Sequence, residues 1–110
     1  MNFNPAQVPD KIIAAYIRHA ELQRSAHLAE IMSKRSRSLE DQCAFMAREE
    51  KRSRKPDEAT MKRLFDERKR HANLAAAYDE VRRGLLHLVI EQQREIERLV
   101  SAWVSSKIEL

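Results

Sequence analysis

Glycine occurs once and proline three times in these 110 residues, at Gly84, Pro5, Pro9 and Pro56. Sheets need tight turns, and turns draw on clusters of Gly, Pro, Asn and Asp that are missing here. An all-α chain follows. The same scarcity bears on chemistry, because there is no G-x-x-x-x-G-K, no G-x-S-x-G and no other glycine loop. Most pockets that bind phosphates are built on glycine turns, so no catalytic residue is assigned and no enzymatic activity is expected. The lone cysteine, Cys43, cannot form an internal disulfide, and nothing points to an oxidising compartment. No apolar run reaches the roughly 18 residues of a membrane span. The longest, residues 85–90, is interrupted by His87. The opening MNFNPAQVPD lacks the charged-then-apolar pattern of a signal peptide. A cytoplasmic protein without membrane contact is the expectation.

Apolar residues make up 43% of the chain and charged residues 35%, too apolar for a disordered chain and too charged for a compact α/β core. Residues 1–110 are read as one helical domain with a modest core, which a second copy would help to complete. Two Pro-Asp pairs, Pro9-Asp10 and Pro56-Asp57, mark helix starts, since proline suits the first turn and an acid suits the positive helix end. They divide the chain into a tail (1–9), a first arm (10–55) and a second arm (56–110). Either arm as a continuous helix would run to about 70 Å at roughly 1.5 Å per residue. The first arm holds SKRSRSLEDQ, whose Ser38-Leu39-Glu40-Asp41 matches a weak capping signature. A break near residues 36–38 therefore stands beside the unbroken helix, and would give helices over 10–35, 39–54 and 57–107.

Hydrophobic periodicity is clearest in the second arm. Met61, Leu64, Arg68, His71, Ala75, Tyr78, Arg82, Leu85, Val89, Gln92, Ile96, Leu99 and Trp103 alternate steps of three and four. That 3.5-residue repeat makes a left-handed seam. A less regular counterpart runs through Ile12, Tyr16, His19, Leu22, Ala26, Ala29, Ser33, Ser36, Cys43 and Met46. The expected fold is an elongated antiparallel helical hairpin reversing at Lys55-Pro56 and assembling into a bundle. Leu85, Leu86, Leu88, Val89 and Ile90 surround more than half of their helix, whereas one partner covers a stripe of roughly 100°. Two partners are implied, so a homodimer is expected, with Leu85, Leu88, Val89, Ile96, Leu99 and Trp103 as self-association residues.

No metal or cofactor site is expected. Helical metal sites place ligands three or four residues apart, but Tyr16, Arg24, Arg68 and Gly84 stand three before His19, His27, His71 and His87. His19, His71 and Cys43 fall on the seams and read as partly buried core groups. Glu91, Glu95 and Glu97 lie near Arg94 and Arg98, as on an exposed, ion-paired face.

Charge is uneven along the chain. Residues 34–71 carry thirteen basic and eight acidic side chains, which is the whole excess behind the net charge of +4. Helical spacing sorts Arg48, Lys51, Arg52 and Lys55 outward in the first arm, with Lys62, Lys69, Arg63 and Arg70 outward in the second. Met61, Leu64, Phe65 and Ala72 would form the inner face there. Pairing of Glu50 with Arg54, Glu58 with Lys62, Arg63 with Glu67 and Asp66 with Arg70 is expected to balance part of the charge. The eight outward cations are the candidate electrostatic docking residues of a non-enzymatic interaction protein, of adaptor, chaperone or inhibitor type, with an acidic protein partner. The alternative is a nucleic-acid-associated regulator of low sequence specificity using the same face, since rows seven apart can follow a phosphate backbone.

Overall fold

A computed structural model describes residues 7–108, so the expectation for the tail is open to description only from Gln7 onward. Helix α1 spans Asp10–Arg52 (43 residues) and helix α2 spans Glu58–Ile108 (51 residues). No strand occurs among the described residues. The chain is an all-α helical hairpin. None of its helices is long and apolar enough to cross a membrane.

Both Pro-Asp pairs start helices. The Pro9 carbonyl accepts from the Ile12 and Ile13 amides at 3.0 and 3.2 Å, closing the first turn of α1. At the second pair Asp57 caps α2: its carboxylate accepts from the Ala59 amide at 3.2 Å and the Thr60 hydroxyl at 2.6 Å. The Thr60 hydroxyl first, and the Ala59 amide next, hold the Asp57 carboxyl below its ordinary range. Gly84, the one glycine, lies inside α2, and an added Cβ there would meet nothing within 4 Å. Gly84→Ala should therefore stabilise the protein by about 1 kcal/mol, the helical cost of glycine, read as a raised thermal midpoint.

The first arm is unbroken, so of the two readings of residues 36–38 the continuous helix holds. The local serines are used sideways rather than as caps: Ser33 and Ser36 are buried. The Ser33 hydroxyl donates to Asp79 Oδ1 at 2.6 Å, and Arg37 pairs with the other oxygen of the same carboxylate. A polar side chain that finds its acceptor on the facing helix has no reason to open its own.

Contacts group the chain into two compact units, one built from residues up to 26 with residues from 83 onward, the other from residues 27–82. In the first unit Ile12, Ala15, Ala26, Val89 and Ile96 are buried, and Gln92 Nε2 donates to the Ala15 carbonyl at 3.5 Å. In the second unit Ala29, Cys43, Leu64 and Ala75 are buried with the two serines. The Cys43 thiol there reaches Glu67 Oε2 at 3.9 Å, a weak contact. Ser33 with Asp79 and Cys43 with Glu67 step in opposite directions along the two helices, which therefore run antiparallel within this unit.

The α2 seam is followed closely, every position being buried or half-buried except Arg68. The α1 seam departs from expectation at its ends. Tyr16 and Met46 are 54% and 50% exposed, and Ala15 and Ala47 take the inward positions. Strict alternation of three and four from Ile12 passes through Ala15, and from Cys43 through Ala47, so helical phase outweighs side-chain size. His19 and His71 are half-buried on their seams, as expected, while His27 and His87 are exposed.

Candidate docking surface

The turn between the helices is built from residues 53–57, and Glu50 holds it. Its carbonyl accepts from the Ser53 amide at 3.1 Å and the Ser53 hydroxyl at 2.7 Å. Its carboxylate accepts from the Asp57 amide at 2.8 Å. One residue thus terminates α1 and ties it to the cap of α2, so the reversal has a defined geometry despite its exposure.

The eight cations expected to face outward all do so: Arg48, Lys51, Arg52, Lys55, Lys62, Arg63, Lys69 and Arg70 are exposed. They do not form one patch. The Arg37–Asp79 pair marks one flank of this unit, and heptad steps along each helix place Arg48, Lys51, Lys62 and Lys69 beside it. Arg63 and Arg70 line a shallow groove on the outer face of α2 together with Ala59, Lys62, Asp66 and Glu67. Arg52 ends α1, and Lys55 belongs to the turn.

The balancing pairs are not those expected. None of Glu50–Arg54, Glu58–Lys62, Arg63–Glu67 and Asp66–Arg70 forms among the described residues; Glu50 is taken by the turn and Glu67 faces Cys43. Among the described residues, Arg52 alone of the eight cations has an ion pair within 4 Å, to Glu49 at 3.9 Å and in an exposed setting. Long-stemmed cations on an exposed helix gain little from a neighbour and keep their water instead. The positive charge of this end is consequently available to an incoming group.

Phe65 corrects a second expectation. It was assigned to the inner face but is 62% exposed, because the seam runs through Met61 and Leu64 and leaves the next residue about 100° further round. It lines a small depression of about 210 Å³ with Glu40, Arg68, Lys69 and Ala72. Phe45, 56% exposed, lies on the outer face of α1 beside Met46, Asp41 and Gln42. Sequence reasoning missed this juxtaposition of aromatic and cation. The signal was legible, since Phe65 stands between Arg63 and Lys69 and off the strict repeat.

The expected self-association residues are split by the packing. Val89 and Ile96 are buried against α1 within their unit, and Leu85, Leu99 and Trp103 are half-buried. Of the six, Leu88 alone is exposed, at 40%. Among the described residues no three His, Cys, Asp or Glu side chains converge to hold a metal ion. Comparison with protein-family models, curated proteins and solved structures finds no match to this chain.

Proposed function

We propose that this chain is a self-associating, non-enzymatic helical interaction protein that docks an acidic protein segment on the cationic end of its hairpin. The observation that carries this reading is the set of eight exposed cations around a turn pinned by Glu50, seven of them without an ion pair among the described residues. Phe65 supplies what charge alone lacks. An apolar anchor seated among Arg68 and Lys69 suits a peptide that carries carboxylates next to a hydrophobic side chain.

Replacing Arg48, Lys51, Lys62 and Lys69 together by glutamine should weaken retention on an immobilised acidic polypeptide by roughly tenfold. Four exposed pairs at about 0.2–1 kcal/mol each amount to about 0.8–4 kcal/mol, a range that brackets a decade in affinity. Phe65→Ser should weaken it further without changing the salt slope. Unchanged binding by the glutamine variant would remove the cationic surface from the function. The exposure of Phe45 and Phe65 also gives bases two rings on which to stack, which favours the nucleic-acid reading over what charge alone allowed. Random duplex and single-stranded DNA are therefore run in parallel, and tighter binding to either, falling steeply between low and physiological salt, would replace the protein partner by nucleic acid.

A further inference from the structure

In the unit built from residues up to 26 and from 83 onward, the two flanks beside the seam differ sharply. One carries charge: Lys11, Arg18 and Glu21 from α1, with Glu91, Glu95 and Arg98 from α2. Glu95 and Arg98 are paired at 3.0 and 2.5 Å, and the Arg98 guanidinium holds the Glu95 carboxyl below its ordinary range. The other flank is nearly bare of charge. It presents Ile13 and Tyr16 from α1, 44% and 54% exposed. From α2 come Leu86 and Ile90, 38% and 51% exposed, with the half-buried Val100 beyond them. Gln92 bonded to the Ala15 carbonyl sets the level of the two helices, so Tyr16 and Ile90 lie close to the same height along the unit. The apolar residues of both helices therefore form one surface.

One observation says what covers it, the spacing of charge. The only ionised side chains along the α2 edge of this flank between residues 83 and 104 are Arg83 and Glu97, seven before and seven after Ile90. An antiparallel copy placed by a twofold axis at Ile90 brings each arginine opposite the other copy's glutamate. A twofold interface must be complementary to itself, and this edge is.

We propose that a second copy of this chain packs antiparallel on the flank formed by Ile13, Tyr16, Leu86, Ile90 and Val100, with the twofold axis beside Ile90 and each Arg83 facing Glu97 of the other copy. The inference rests on the self-associating part of the proposed function and names its surface. Leu86 and Ile90 then bury what the α1 seam leaves uncovered, which accounts for a helix that is apolar around more than half of its circumference. Arg83 and Glu97 fix direction, since a parallel copy would set like charges against each other.

The test is sedimentation of the full chain at micromolar concentration and physiological salt. The unaltered protein should be a dimer. Ile90→Lys should abolish dimerisation, whereas Leu88→Lys, on the charged flank, should leave it intact. Arg83→Glu and Glu97→Arg should each weaken it by roughly tenfold, because each turns both pairs of the interface repulsive. Mixing those two variants should restore a dimer, since the mixed pair faces two glutamates with two arginines. The charge variants sit on exposed helical positions and keep the test sound if Ile90→Lys loses its helix. A dimer indifferent to the charge variants and their mixture, or broken by Leu88→Lys as fully as by Ile90→Lys, would overturn this surface while leaving self-association standing. A monomeric unaltered protein would overturn both.

Discussion

Leu64→Ala should cost the hairpin about 2–5 kcal/mol, the range for removing a fully buried leucine from a core that cannot collapse around the space. Leu64 is 3% exposed, and the other buried side chains of its unit are Ala29, Ser33, Ser36, Cys43 and Ala75. It is the one bulky side chain among them. An alanine there would leave the fully buried part of this seam to small side chains, so the loss should fall within that range. Small domains are stable by about 5–15 kcal/mol in total, and one such change removes a large share. Urea or thermal unfolding followed by helical circular dichroism measures it. The neighbouring Phe65→Ala is the control: with Phe65 62% exposed, its loss should stay within about 0.5 kcal/mol. Equal costs at the two positions would mean that the 3.5-residue seam is not where the packing energy lies.

Replacing His19 or His71 by leucine should act in the opposite direction. His19 Nε2 and His71 Nδ1 are buried without a hydrogen-bond partner among the described residues. A buried polar atom left unpaired costs about 1–3 kcal/mol, and a leucine of similar reach removes that cost and adds apolar burial. Each substitution should raise stability by about 1–3 kcal/mol. His27 and His87 are the comparison, being exposed beside Glu30 and Glu91. Leucine at either should change stability by no more than about 0.5 kcal/mol. A loss at His19 or His71 would show that its nitrogen has a partner worth more than the apolar contact.

Much of this was legible in the sequence. The two proline-acid pairs located both helix starts because proline and a capping carboxylate act within one turn of their own position. The α2 seam was read almost to the residue because it is rich in large aliphatic side chains. The α1 seam was harder, since alanine and serine carry little hydrophobic signal, and Tyr16 and Met46 attracted an assignment that phase alone denies them. The same mistake placed Phe65 inside.

What the tertiary structure decided lies between residues distant in sequence. Asp79 lies 46 residues from Ser33 and accepts its hydroxyl, which turns a stretch that looked like a helix break into part of the seam. Glu50 reaches across the turn to the Asp57 amide, so it is not available to Arg54, and the charge balance expected from helical spacing does not form. The flanks were decided in the same way. Sequence determined that the second helix is apolar around more than one face. Only the packing of α1 against α2 determined which residues of that surface are spent on the hairpin, such as Val89, and which, such as Leu86 and Ile90, stay exposed. Local rules set where helices begin and which way they face, because those energies act within a turn or two. The partition of a surface between two partners depends on where the first partner sits.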